Sequence, residues 1–141
     1  MRRTLGLVIC LLLSTAGLGQ KVPIRVDQDG EDAVGQRFAF DLRDAIRRSV
    51  KYCLVEAAFG APGGCAPNPV FITIDVQSLS IPPGDVESAI SAMVQMTGGP
   101  SCLDEQIRHR VMVLGKERVT DAAKHFLAYV DRERIAADFK E

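Results

Sequence analysis

The 141-residue chain has no tryptophan and two tyrosines, and aromatic residues make up 6% of it. Ligand pockets and base-stacking surfaces rest on aromatic anchors, and this chain has few to give them. It also lacks a charge surplus: 17 Lys and Arg stand against 18 Asp and Glu, for a net −1 and a pI near 6.1. A nucleic-acid binder neutralises phosphates with a basic excess, so the composition argues against nucleic acid as a partner. No run of about 18 apolar residues exists, and no membrane-spanning helix is expected in the mature chain. None of the four cysteines has CxxC spacing and neither histidine stands beside one, so zinc and thioredoxin-like chemistry have no support. No GxSxG nucleophile turn occurs. Gly115-Lys116 ends like a phosphate loop, but Glu117 stands where Ser or Thr would bind magnesium, and the upstream glycine is missing.

What remains is ordinary globular material, 47% hydrophobic and 25% charged, of a length that suits one domain. Its amino end reads as an address. Arg2 and Arg3 form a positive region, Leu5 to Leu13 an apolar one, and the small residues Ser14, Thr15, Ala16, Gly17 and Gly19 follow. The expectation is a signal peptide over residues 1–19 and a single domain over 20–141, exported to the periplasm or beyond. Cys10 lacks the small preceding residue of a lipidation signal, because Ile9 is bulky. Losing Arg2 and Arg3 takes the 17 basic residues to 15 against 18 acidic ones, a net −3.

Export leaves Cys53, Cys65 and Cys102, an odd number in an oxidising compartment. Tyr52–Phe59 reads as a strand, Gly60–Pro69 as a loop, Val70–Leu79 as a second strand and Pro82–Asp85 as a turn. Val86–Thr97 fits a strand or a helix by periodicity, and Gly98–Gln106 is a loop. If these segments alternate up and down, Cys65 and Cys102 fall at one end and Cys53 at the other. That path predicts a Cys65–Cys102 disulfide and a buried free thiol at Cys53, the alternatives being no bridge or a Cys53–Cys65 pair.

Val22, Ile24 and Val26 alternate with polar residues as an edge strand would, with Pro23 tolerated at an edge. Asp32 is placed to cap a helix running to about Val50, with Val34, Phe38, Leu42 and Ile46 along one stripe. Arg108–Leu114 reads as a strand. A last helix begins near Lys116–Thr120, with Val119, Ala122, Ala123, Phe126, Leu127 and Val130 on one face and a charged tail loosening from about residue 132. Two one-sided helices and a sheet of three or four strands, antiparallel or mixed at one edge, make an α+β two-layer sandwich.

The helix segment Val34–Ser49, the strand Phe71–Val76, the segment Ser88–Val94 and the stretch His109–Ala123 together resemble a group of small exported bacterial proteins of unknown function, built as helix, three-stranded meander and helix. That resemblance implies that Val86–Thr97 is a strand. The group tends to carry a tyrosine in that strand, where this chain has Ile90 or a neighbour, a departure that touches packing only. The element order is also similar to the amino-terminal domain of the Tol–Pal translocation β-propeller protein and to soluble domains of envelope assembly lipoproteins, which implies an interaction module.

The chemical candidates are sparse. His109 sits between Arg108 and Arg110 on a strand, where an exposed polar role outweighs a catalytic one for want of a nucleophile turn. His125 reads as a helix-rim residue, and Asp75 as a carboxylate on the open side of a half-covered sheet. Arg37, Arg43, Arg47, Arg48 and Lys51 make the first helix basic; Arg43, Arg47 and Arg48 form a candidate contact face for an acidic partner or lipid headgroups. The expectation is therefore a non-enzymatic envelope module contacting an unidentified envelope protein, with no cofactor and no metal, through an open sheet face or the Val22–Val26 edge. The competing reading is a small hydrolase or inhibitor with its site in loops 60–69 and 98–109, around Cys65, Asp104, Glu105 and His109. A soluble ligand carrier would need a cavity between sheet and helices.

Overall fold

The computed structural model describes residues 21–55, 71–83, 86–97 and 105–138. In chain order they form β1 (Val22–Asp29), α1 (Ala33–Arg48), β2 (Tyr52–Val55), β3 (Phe71–Ser80), β4 (Glu87–Thr97), β5 (Glu105–Gly115), a short 3-10 turn (Lys116–Arg118) and α2 (Val119–Asp138). The five strands make one sheet in the order β2-β1-β3-β4-β5. β1 runs parallel to both β2 and β3, while β3, β4 and β5 form an antiparallel meander.

Strand alternation divides the sheet cleanly. Ile24 and Val26, then Ile72, Ile74 and Val76, then Ile90, Ala92 and Val94 are all buried on one side. Onto that side α1 lays Val34, Phe38, Leu42 and Ile46, and α2 lays Val119, Ala123, Phe126 and Val130. The helices meet through Phe38 and Phe126, edge to face with ring centroids 5.9 Å apart. Asp41 fastens the same seam, accepting from Arg37 Nε at 3.0 Å within α1 and from Thr120 Oγ1 at 2.7 Å on α2. The expected α+β two-layer sandwich is therefore what forms, with five strands rather than three or four.

Several expectations need correction. β1 is interior, flanked by β2 and β3, so Val22–Val26 is not an edge. Pro23 fits because it lies one residue from the start of the strand. The up-and-down path also fails between β2 and β3: both are parallel to β1 and hence to each other. The described strand–helix–strand crossover is β1–α1–β2, which sets β1 and β2 parallel. Cys53 consequently sits at the end of the sheet where β3 begins and β4 finishes. Its side chain is buried. Cys65 and Cys102, and with them the expected pairing, lie outside the described residues, as do residues 1–19 and the 60–69 loop. Val86–Thr97 does contain a strand, and α2 extends to Asp138. Asp131 accepts from the Tyr52 hydroxyl at 2.7 Å and from Lys51 Nζ at 2.6 Å, tying α2 to β2.

Candidate functional site

The side of the sheet away from the helices carries no covering layer among the described residues. Register places its side chains in rows across the strands. Leu79, Ala89 and Val113 form one row over β3, β4 and β5. Asp29, Gln77, Ser91 and Val111 form the next, and Asp27, Asp75, Met93 and His109 the one after. Leu79, Val111 and Val113 are 72%, 63% and 59% exposed. Scattered exposed apolar residues are normal, but these share neighbouring rows with Ala89 and Met93 and make one patch on β3–β5.

The β1 side of the same face is acidic. Arg25 pairs with Asp27 at 2.7 Å and lies over the Phe71 ring. Asp75 stands opposite Asp27 in parallel register and has no hydrogen bond or ion pair of its own among the described residues. Partial burial pushes its carboxyl above the usual range; the Asp27 charge adds to the shift and Arg25 opposes it. Asp75 thus occupies the open side of the sheet, as expected.

His109 is exposed and lies 2.7 Å from the Ser91 hydroxyl through Nε2. Met93 separates it from Asp75 in the row, and two inter-strand spacings amount to about 10 Å. No carboxylate of that row therefore orients the imidazole as a nucleophile relay requires. Of the other residues of the hydrolase reading, Glu105 opens β5, and Cys65 and Asp104 lie outside the described residues. His125 is exposed on α2. Among the described residues no group of three or more His, Cys, Asp or Glu is placed to hold a metal ion.

The β5 edge of the sheet differs from its face. β5 has eleven residues, and Arg108, His109 and Arg110 follow one another along it. Arg108 reaches Glu133 of α2 at 2.7 Å, and Arg110 lies over the Tyr129 ring at 5.2 Å. Charges carried on an edge discourage pairing with a further strand. The face, by contrast, has no such guard over its apolar patch.

The basic trio is divided by the fold. Arg43 is half-buried and donates from Nη2 to the Val26 carbonyl at 2.9 Å, so it braces α1 on β1. Arg48 pairs with Asp44 at 2.9 Å, and Arg47 is exposed. A shallow groove of about 600 Å³ runs between the outer sides of the helices, past Arg37, Phe40, Arg48, Thr120 and Lys124. Its cations are surface residues, and Arg37 and Arg48 are already paired with Asp41 and Asp44.

The patch was missed from sequence although a signal was present. Val111-Met112-Val113-Leu114 is apolar on both faces of a strand, whereas a strand with one side in water alternates. Leu79 breaks the alternation of β3 in the same way.

These features define a two-layer α+β sandwich with one sheet face bare among the described residues. No family model matches the chain, and no curated protein sequence does. Among solved structures it is similar to a DUF330 protein from Xanthomonas campestris, with 8% identity, 88% of this chain and 92% of that chain covered, and a TM-score of 0.51. It is also matched by a hypothetical protein from Chlamydia trachomatis, at 10% identity, 66% and 71% coverage and a TM-score of 0.36. A candidate lipoprotein from Caulobacter crescentus CB15 gives 11% identity, 89% and 96% coverage and a TM-score of 0.36. The Xanthomonas likeness shows a shared fold. The other two carry no argument, and none of the three shows the likeness to the Tol–Pal protein.

Proposed function

We propose that the chain is a non-enzymatic exported module of the bacterial envelope that works by protein contact, with the bare face of β3–β5 as its docking surface. The observation that carries this reading is the exposure of Leu79, Val111 and Val113 side by side on a face where no described element covers them. The hydrophobic core is complete on the other side of the sheet, so these residues add nothing to it. An apolar patch kept in water costs solubility, and a partner that covers it removes that cost. Export is supported by the Arg2–Gly19 pattern. Among the described residues no helix is long and apolar enough to cross a membrane.

The test is capture from envelope extracts by the tagged exported chain and by its Val111→Glu/Val113→Glu variant, with melting curves recorded for both. The wild type should retain a discrete envelope protein that the variant loses at unchanged melting temperature. Equal retention by both chains contradicts the reading. The Ser91–His109 hydrogen bond is the one feature that favours the hydrolase alternative. A serine-reactive fluorophosphonate applied to the native chain should leave Ser91 unlabelled; labelling that disappears in His109→Ala would favour the enzyme instead.

A further inference from the structure

We infer that the bare face receives an amphipathic α-helix whose apolar stripe is flanked by lysine or arginine. This rests on the face being a contact surface, and adds the shape and charge of what it contacts.

The width of the patch selects the shape. Its apolar residues lie on β3, β4 and β5, a span of two inter-strand spacings or about 10 Å, and one helix with its side chains is about 10–12 Å across. A helix laid along β4 would cover Leu79, Ala89, Val111, Val113 and Met93 together. A second sheet packed over the whole face would instead press its apolar side onto Asp27 and Asp75. Strand addition along the β5 edge is opposed by its arginines. Helix on sheet is also how this fold has already covered its other face, so the occupant completes a third layer.

Charge selects the flank. Beside the patch lie Asp75, Asp27 and Asp29, with Glu87 at the corner of β4. Arg25 serves Asp27. Asp75 is left directly opposite a like charge, a pairing that costs stability within the chain. A cation from outside relieves that repulsion. Asp27 and Asp29 on β1 and Asp75 on β3 sit at one side of a helix centred over β4, so the basic residues must lie on that flank with stems long enough to reach sideways. An acidic flank would meet only repulsion there.

The experiment uses two fluorescent synthetic helical peptides with identical leucine spacing, one flanked by lysine and one by glutamate. Each is titrated into the purified chain, into Asp75→Asn and into Val111→Ser/Val113→Ser. The lysine peptide should bind saturably and weaken with salt, and the glutamate peptide should not bind. Serine at both valines should lower affinity about tenfold or more. Asp75→Asn should lower it about two- to fivefold and flatten the salt dependence. Equal binding of the two peptides overturns the inference, as does lysine-peptide binding that ignores the valine variant. So does self-association of the chain abolished by the same variant, which would make a second copy the occupant. If Val111→Glu/Val113→Glu still loses an envelope protein but neither peptide binds, the contact surface stands and the cationic helix falls. If the valine substitutions change nothing in either assay, both fall.

Discussion

Around Asp32 several small and polar residues are fitted to one another. Its Oδ1 accepts from the Gly35 N–H at 2.7 Å and from the Ser88 hydroxyl, so one carboxylate caps α1 and holds β4. Its Oδ2 and the Ser78 hydroxyl are both buried close by, and Ser78 helps to hold the carboxyl ionised. Gly30 and Gly35 make room for Ser78. A Cβ on Gly35 would overlap the Ser78 side chain, and Gly30 has φ +122 with its Cβ position 2.6 Å from the Ser78 carbonyl oxygen. Gly35→Ala should therefore cost about 1–3 kcal/mol in urea denaturation, and Ser78→Gly should recover part of that loss in the double variant. An additive double variant would show that the two do not share the space.

The acid limb of stability belongs to the same scale, and two aspartates act in opposite directions. Burial pushes the Asp32 carboxyl up, but the Ser78 and Ser88 hydroxyls and the Gly35 N–H outweigh it and hold it below its ordinary 3.8. The folded state thus binds the proton less readily than the unfolded state. The stability from Asp32 is present above that ordinary value and is lost as pH falls through the lower folded one. Asp75 is raised above 3.8, chiefly by partial burial. It penalises the fold at neutral pH, and the penalty lifts as pH falls through its folded value. Asp75→Asn should accordingly stabilise the chain at pH 7 by a few tenths of a kcal/mol and change little at pH 3. Asp32→Asn should destabilise at pH 7 by about 1 kcal/mol and flatten the decline below pH 4. Denaturation midpoints across pH check both.

Among elements, α1 was the most legible in sequence. Asp32 was placed as its cap and Val34, Phe38, Leu42 and Ile46 as its stripe, and all hold those positions. The β-branched run of β3 was equally clear. Both are local patterns, fixed by the period with which side chains reach the core. The order of strands is not local. Nothing between Tyr52 and Ser80 reports that β1 inserts between β2 and β3, and this is why an edge was assigned to Val22–Val26 and the far end to Cys53. The candidate contact face was half legible: Asp75 was placed on the open side, but Val111 and Val113 lie in a run apolar on both sides, where alternation marks no face, and Leu79 breaks the alternation of β3. The support of α2 is tertiary. Tyr52 and Lys51 hold Asp131 from β2, a contact some 80 residues distant in sequence. Tyr52→Phe should cost about 1–2 kcal/mol and speed amide exchange in the second half of α2 while leaving α1 protected. Uniformly unchanged exchange would deny Asp131 that role.

For the molecule as a whole, the division between its two sheet faces decides the account. One face meets two helices, buries every inward side chain of β1, β3 and β4 named above, and accounts for the fold. The other keeps an apolar patch beside the like-charged pair Asp27 and Asp75, and no described element covers it. Side-chain footprinting of the exported protein inside intact envelopes, set against the purified chain, tests this most directly. Leu79, Val111 and Val113 should be protected in the envelope while Phe40 and Arg47 on α1 stay labelled. Equal labelling of the three in both settings, or protection confined to α1, would contradict it.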